Sequence, residues 1–427
     1  MNKRWIQRVV VTSFFAVMTL GLSSGTLAKS DDDQDNDDNQ REKTLYIWAG
    51  DQARVRPDFL AVIDFNEHSR NYGRVLRTVP VPPPGNMGNE PHHCHLSADK
   101  NILACGGLLS VLRGQNGIFF FDVSKPRHPK FLFSRSTPNS SITDDFLPLR
   151  TGGFLVTQMG SASGGAPGRL AEFDRLLNLV AEYPTNPPTD GFNPHGISAD
   201  FKRNQLVTSD FINPVTTLNM WLGDVELRGS LRFWNLRKRE ITRTVFLPEA
   251  LGSMDVKLIP GDPHGRAVTA NMFSGRVYTV DPTDGSVVQS FDCEDIQPHV
   301  EVPVRGGMVQ LLAMPKRGDR LIFASFMAGQ IGMLNITNPN AFVQKSVVSL
   351  GLNAGPHDID LTEDDSRLVV TDYFLNEDDF GKIHFEGDHK VHVIKVTADT
   401  LTLDPRFELD FNAAFDYPAR PHGVAMK

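Results

Sequence analysis

The sequence predicts an all-β fold, a seven-bladed β-propeller whose N-terminal strands pair with the C-terminal strand. Short apolar runs are separated by many Gly (35) and Pro (28) residues and by Asn and Asp, which is typical of strands joined by turns. A strand–turn–strand unit recurs at intervals of about 50 to 65 residues, which suits a four-stranded blade. Closing the blades into a ring would remove the sheet edges at which proteins aggregate.

Seven units carry this pattern, and four of them open with a histidine that follows Pro or Pro-His. The units begin near residues 92, 145, 195, 254, 308, 357 and 422. The last unit ends after a single strand, so strands before residue 90, such as 45–48 and 59–64, are expected to complete that blade. A β-sandwich joined to a second domain is the alternative, which the even spacing disfavours.

The N-terminus has the features of an exported protein. Residues 1–28 place three basic residues before an apolar stretch, and small residues precede an expected cleavage after Ala28, as in secretory signals. Residues 29–43 form an acidic spacer that should be disordered because its like charges repel, and the propeller is expected over 44–427. An uncleaved membrane anchor is the alternative. The expected location is the periplasm or the exterior, without stable membrane association after cleavage.

The composition excludes several classes of protein. A chain that is 40% hydrophobic and 22% charged is globular rather than disordered or collagen-like. Its formal net charge is -8, whereas a nucleic-acid partner would favour a basic surface. Nucleic acid is therefore not an expected partner.

Histidines at one repeat position are the main functional signal. His92 or His93, His195, His357 and His422 share this position. The innermost strand of each blade lines the channel of a propeller, so these side chains are expected to converge. Several neutral imidazoles at one point form a transition-metal site that suits copper, zinc, iron or nickel, with copper binding most tightly. The alternative is that each histidine caps its blade through backbone hydrogen bonds.

Other side chains are expected to complete this site. Met254 and Met308 fall near the shared position, and methionine sulfur favours reduced copper. Asp255 and Asp358 are expected to orient ligand imidazoles as hydrogen-bond acceptors. Six further histidines lie in polar or turn segments and are expected at the surface: His68, His128, His264, His384, His389 and His392.

The three cysteines are Cys94, Cys105 and Cys293. An odd number does not make a disulfide framework. Cys94 and Cys105 are expected either to pair in an oxidising compartment or to remain buried free thiols.

Three ordered segments carry a family likeness: the His92-His93 pair before a cysteine-containing segment, residues 117–130 and residues 403–411. In these segments the chain resembles the selenium-binding protein / methanethiol oxidase family. It implies a seven-bladed propeller. For the enzyme members it implies copper-dependent oxidation of methanethiol by oxygen and water to formaldehyde, hydrogen sulfide and hydrogen peroxide. It also implies that His92, His93 and His422 are metal ligands.

The chain departs from that family at two places. Asp144 and Asp145 stand where the family has a histidine, and the family's Cys-x-x-Cys is absent. Cys94 and Cys105 are approximate substitutes and the candidate catalytic residues, as carriers of a persulfide or of selenium. A rearranged set of metal ligands is therefore expected: His92, His93, His195, His357 and His422.

The favoured function is a secreted copper-dependent oxidase of small thiols. The alternative is a protein that binds selenium or metal without turnover, so the expected partner is a small thiol or a selenium ligand. A propeller lyase or lactonase would hold calcium or magnesium mainly through oxygen ligands, which the histidines disfavour. A plain interaction scaffold would leave the shared histidine position without a role.

Overall fold

The computed structural model describes residues 42–219, 224–294, 296 and 306–427. Within these residues the strands form seven antiparallel sheets, six that follow one another along the chain and one that joins its two ends. This arrangement confirms the expected seven-bladed β-propeller. The expected signal segment and nearly all of the acidic spacer lie outside the described residues.

The closing blade joins the two ends of the chain. Its inner strand is β29 (Ala419–Met426), which is followed outward by β1 (Thr44–Asp51), β2 (Phe59–Asp64) and β3 (Val75–Pro80). The pairing of β1 with β29 runs from Leu45 opposite Met426 to Asp51 opposite Ala419. The last strand of the chain is therefore completed by the first three, as the truncated repeat predicted.

The other six blades each use a consecutive stretch of chain, with the first strand innermost. Blades 1 to 3 contain β4 (Pro91–Leu96), β5 (Ile102–Gly107), β6 (Ile118–Asp122) and β7 (Lys130–Arg135); β8 (Ser140–Pro148), β9 (Phe154–Ser161), β10 (Arg169–Phe173) and β11 (Leu179–Tyr183); β12 (Pro194–Asp200), β13 (Gln205–Ile212), β14 (Leu227–Asn235) and β15 (Glu240–Phe246).

Blades 4 to 6 repeat the arrangement, and blade 6 has a fifth short strand. They contain β16 (Ser253–Leu258), β17 (Ala267–Asn271), β18 (Arg276–Val280) and β19 (Val287–Asp292); β20 (Val309–Ala313), β21 (Arg320–Ser325), β22 (Gln330–Asn335) and β23 (Val343–Ser349); β24 (Pro356–Leu361), β25 (Arg367–Asp372), β26 (Lys390–Val396), β27 (Leu401–Leu403) and β28 (Leu409–Asp410).

Helical structure occurs in connections between strands. One α-helical turn, α1, spans Val215–Asn219, and 3₁₀ turns include Ser110–Arg113 and Phe326–Ala328. No helix in the part of the chain that the structure describes is long and apolar enough to cross a membrane.

Phenylalanine fills the space between blades. Because side chains alternate across a strand, Phe119 and Phe121 of β6 pack with Trp48 of the closing blade, at ring-centroid distances of 5.2 and 5.6 Å. Phe120 points the other way and packs on Phe173 of blade 2 at 5.7 Å. Fully burying one such ring stabilises the fold by roughly 1.5–3 kcal/mol. The phenylalanine-rich sequence thus holds the ring of blades together.

Candidate metal centre

The first strand of every blade carries a β-bulge at the same place. In blade 1 the register passes from Pro91 opposite Gly107 to Cys94 opposite Cys105, so two residues face one on β5. A bulge of this kind re-aims side chains beside functional sites. The first bulged residues of the seven blades form a set that we call the bulge ring: His92, Asp144, His195, Met254, Gln310, His357 and His422.

The structure brings the five expected histidines together. The ring of His92 lies 4.2 Å from that of His93 and 4.2 Å from that of His422, and the ring of His357 lies 4.7 Å from that of His422. One nitrogen each of these four residues lies within 4.8 Å of the others. His195 adjoins them, 5.8 Å from the ring of His93. All five side chains are buried, so this group of histidines could hold a metal ion.

Asp144 is the anionic centre of the group. His92 Nε2 and His93 Nδ1 each lie 3.1 Å from its carboxylate oxygens, and His195 Nδ1 lies 3.2 Å away. Burial by itself would raise the pKa of this fully buried carboxyl. The positive potential of His195, His92 and His93 outweighs burial and holds its pKa well below the usual range. Asp144 therefore stays ionised, as an acceptor for imidazole N–H groups requires.

Gln310 plays the same part for His357. Its Oε1 makes a short contact with His357 Nδ1, and Nε2 of His357 lies 3.1 Å from Nε2 of His93. An amide oxygen can only accept, so Nδ1 of His357 carries a proton and its Nε2 is left with a lone pair. The two rings thus meet through their Nε2 atoms.

The protonation of the group is uneven. Burial alone would lower the pKa of His93. The negative charges of the adjacent Asp144 and the nearby Asp358 outweigh burial and raise this pKa to about 9. Burial, then neighbouring imidazoles, hold the pKa values of His357 and His422 well below the usual range. Without a metal ion, a proton on His93 is the positive charge of the group at neutral pH, and the rings around it are neutral.

Two cavities meet at these histidines. A cavity of about 370 Å³, the acidic channel, is lined by His93, His195 and five carboxylates of the inner strands, together with Lys257. A second cavity of about 100 Å³, the apolar chamber, touches His92, His195 and His357. Its wall is otherwise mostly methionine, phenylalanine and aliphatic side chains, such as Met159, Phe211, Met254, Met272, Phe326 and Phe385.

Two sequence expectations about the surroundings are wrong. Met308 does not share the histidine position, because it precedes β20 in a left-handed conformation (φ 58°) and Gln310 takes the equivalent place. Asp255 and Asp358 make no hydrogen bond to an imidazole among the described residues. Their carboxylates accept the backbone N–H groups of Leu312 and Val424 on the next blade, at 2.9 Å each. Asp144 and Gln310 orient the imidazoles instead.

Tyr373 is a further neighbour that the sequence analysis missed. Its ring lies 3.7 Å from that of His422, and its hydroxyl donates a 3.0 Å hydrogen bond to Glu90. Tyr373 directly follows β25, the second strand of blade 6. This position in the repeat was the feature of the sequence that could have identified it. Tyr373 fixes one face of the His422 ring.

Cys94 and Cys105 form a disulfide in the structure, between paired residues of β4 and β5. Neither is therefore a free thiol, and carrying a persulfide or selenium would first require reduction. Cys94 lines the acidic channel, next to His93. The catalytic role of the two cysteines stays a prediction, whereas Cys293 is a buried free thiol.

Two of the six histidines expected at the surface are buried. His389 and His392 are each only 8% exposed, whereas His68, His128, His264 and His384 are exposed. His392 lies on β26, a central strand of blade 6, with Asp372 and Asp388 beside its imidazole. The polar residues around it in the sequence did not reveal this buried position.

Comparison with solved structures supports the fold. A hypothetical selenium-binding protein from Sulfolobus tokodaii superposes with a TM-score of 0.77 at 17% identity, over 91% of this chain and 94% of that one. A streptogramin B lyase superposes with a TM-score of 0.54 at 13% identity, over 91% and 100% of the two chains. At these identities the likeness concerns the propeller alone.

Sequence relatives point to one family. A methanethiol oxidase from Hyphomicrobium sp is 26% identical over 272 residues, which span 57% of each chain. Selenium-binding protein 2 of Arabidopsis thaliana is 24% identical over 90% of each chain, and the methanethiol oxidase of Homo sapiens is 21% identical over 88% of this chain and 90% of its own length. The profile of the 56kDa selenium binding protein family matches residues 32–427. With a match over nearly the whole propeller, the chain belongs to the 56kDa selenium binding protein (SBP56) family.

Proposed function

We propose that this protein is a secreted, copper-dependent oxidase of small thiols, with methanethiol as the first substrate to test. The observation that carries the proposal is the 3.1 Å approach of His93 Nε2 to His357 Nε2. Asp144 accepts from Nδ1 of His93 and Gln310 from Nδ1 of His357, so a neutral His93 and His357 would each turn an Nε2 lone pair toward the other. Two facing lone pairs repel each other unless a cation lies between them. In the metal-free protein that cation is the proton of His93.

The donors present fit a metal ion. Two imidazoles bound to one ion at about 2.0–2.1 Å place their nitrogens on the order of 3 Å apart. Nδ1 of His92 and both ring nitrogens of His422 are buried without a hydrogen bond among the described residues. His92, His93, His357 and His422 would therefore hold the ion, with His195 beside them. Imidazole donors suit copper, and the methionines of the apolar chamber favour its reduced form.

The apolar chamber suits a small thiol. At about 100 Å³ it takes a ligand of a few heavy atoms. Phe211, whose ring lies 5.0 Å from that of His195, and Met254 would surround the methyl group and exclude water from it. A bound copper ion would supply one-electron chemistry toward oxygen and would lower the pKa of a ligating thiol.

The protein's own groups would handle protons and water. Asp144 stays ionised and keeps the Nδ1 proton of His93 in place, so that Nε2 faces the centre. The acidic channel reaches His93 from the side of Asp255 and Lys257 and offers a polar route for water. The overall reaction turns CH₃SH, O₂ and H₂O into CH₂O, H₂S and H₂O₂, which balances in atoms and electrons.

The test combines metal content with product formation. The full chain is loaded with copper, and copper per chain and hydrogen sulfide release from methanethiol are measured. The double variant His93→Ala/His357→Ala should lose both, with an unchanged circular dichroism spectrum. His264→Ala, at an exposed histidine, is the matched control and should keep both. Full copper occupancy in the double variant would refute the proposal.

The alternative function gives a different result in the same assay. A protein that only stores metal or selenium would bind copper or selenite stoichiometrically and release no hydrogen sulfide or peroxide. The apolar chamber favours the oxidase, because a site that only binds ions has no need of a water-excluding pocket beside the imidazoles.

Export belongs to the same proposal. The basic start, apolar stretch and small residues of 1–28 support secretion to the periplasm. N-terminal sequencing of the protein from the periplasmic fraction should find a mature chain that begins at Lys29. Recovery of an intact Met1 from the cytoplasm would contradict export.

A further inference from the structure

Blade 6 contains a second cluster of metal-ligating side chains, apart from the central histidines. It consists of Asp372 at the end of β25, His392 on β26 and Asp388 in the loop before β26. His392 Nε2 lies 2.7 Å from Asp372 Oδ2, and one ligand atom from each of the three residues lies within 4.8 Å of the others. Asp372 is fully buried and His392 is 8% exposed.

The carboxylates of this cluster have unsatisfied oxygens. Oδ1 of Asp372 and Oδ1 of Asp388 are both buried, and neither makes a hydrogen bond of normal geometry among the described residues. The amide of Gly355 faces the Asp372 carboxylate, and Lys390 Nζ lies 3.1 Å from the other oxygen of Asp388, Oδ2. The two carboxyl groups also face each other within hydrogen-bond reach. Two carboxylates held together in a buried place, with inner oxygens that have no donor of normal geometry, are costly unless a cation or a shared proton lies between them.

In blade 3 an arginine side chain occupies the position that corresponds to His392 in blade 6. Asp210 and Asp372 both lie opposite the proline that opens their blade. Arg232 and His392 both lie on the third strand, opposite the residue two positions before that aspartate. In blade 3 the Arg232 guanidinium lies between two carboxylates, with Nε 2.7 Å from Asp210 and Nη2 2.8 Å from Asp190.

We propose that Asp372, Asp388 and His392 form a second metal site, which binds a divalent cation of borderline hardness such as zinc where blade 3 uses Arg232. One imidazole nitrogen and two carboxylate oxygens are ligands that zinc accepts, with a water molecule to complete four-fold coordination. The ion would join β25, β26 and the loop that leads into β26. Its role would be structural, since the cluster is separate from the central histidines.

The experiment counts zinc ions bound per chain. The metal-stripped full chain is dialysed against zinc, and the wild type is compared with Asp388→Asn and with His392→Arg, which supplies the cation that blade 3 has. Both variants should bind one equivalent fewer than the wild type. The thermal midpoint of His392→Arg should also respond less to zinc. Asp190→Asn, at the second carboxylate that contacts Arg232, should bind as many ions as the wild type.

The result separates this site from the central one. In the His93→Ala/His357→Ala background the blade 6 equivalent should remain, and adding Asp388→Asn should remove it. Equal zinc content and affinity in the wild type and Asp388→Asn would overturn the proposal and would mean that the two carboxyl groups share a proton instead. Asp388→Asn keeps the test decisive if His392→Arg fails to fold.

Discussion

The hydroxyl of Thr371 donates a 2.7 Å hydrogen bond to the backbone carbonyl of His422 on the adjacent blade. Thr157 makes the same contact with the carbonyl of His195, at 2.6 Å. In each case the second strand of one blade donates to the bulge in the inner strand of the next blade. The backbone of a candidate ligand is therefore held by the neighbouring blade. Positions of this kind determine how precisely the imidazoles are placed.

Thr371→Val should therefore destabilise the propeller. Valine has a similar shape but cannot donate, which leaves the buried carbonyl of His422 without this partner and costs about 1–3 kcal/mol. Urea unfolding of the metal-free protein measures the loss. Thr402→Val, at an exposed residue of the outer strand β27, is the control and should change stability by less than about 0.5 kcal/mol. Equal stability of the two variants would contradict the role assigned to Thr371.

Asp144→Asn should weaken metal binding. The variant loses the negative charge that faces His92, His93 and His195. An amide has only one accepting oxygen, whereas the carboxylate has two, so the variant cannot accept from all of these imidazoles. Loss of such an orienting acceptor typically costs 10–100-fold in affinity. A chelator competition titration with copper measures it. The control is Asp145→Asn, because this carboxylate accepts backbone N–H groups and no imidazole. An unchanged affinity in Asp144→Asn would exclude the orienting role.

Replacing the disulfide should cost stability and leave metal binding intact. The bond between Cys94 and Cys105 closes a loop with a sequence separation of 11, for which chain entropy predicts about 3 kcal/mol. Cys94→Ser/Cys105→Ser should therefore unfold at lower denaturant while it binds the same amount of copper. If copper binding persists but hydrogen sulfide release stops, the predicted persulfide role of the cysteines gains support. Cys293→Ser is the single-thiol control.

The buried carboxyl group of Asp58 should make the free energy of unfolding decrease as pH rises toward 7. Burial raises the pKa of this carboxyl to about 7, more than the hydrogen bonds from Asn89 and the charge of Arg420 lower it. The folded protein then holds a proton that the unfolded chain releases near pH 4. This contribution is fully present below pH 4 and is lost as pH rises through 7, by up to about 1.4 kcal/mol per pH unit.

Unfolding free energies at pH 5 and pH 8 test this prediction. In Asp58→Asn the amide stands in for the protonated acid, so the difference between the two pH values should be smaller than in the wild type. Asp99→Asn, at an exposed aspartate, should retain the wild-type difference. A wild-type pH dependence in Asp58→Asn would show that Asp58 is ionised in the folded protein.

The repeat could be predicted from the sequence. The spacing of the histidine-bearing units and the truncated last unit predicted the blades and their closure, because each unit must bury its faces against identical neighbours. The meeting of His92, His195, His357 and His422 followed from the same symmetry, since equivalent positions of a ring face one axis.

Contacts between blades required the tertiary structure. The bulge aligns Gln310, not Met308, with the histidines, because Met308 lies two residues earlier and precedes the strand. Asp255 and Asp358 accept hydrogen bonds from the next blade, and His392 is buried beside Asp372 and Asp388 of its own blade. The sequence determined which strands form and which positions repeat, whereas the packing of neighbouring blades and loops decided which polar groups meet, because those contacts join residues that share no local pattern.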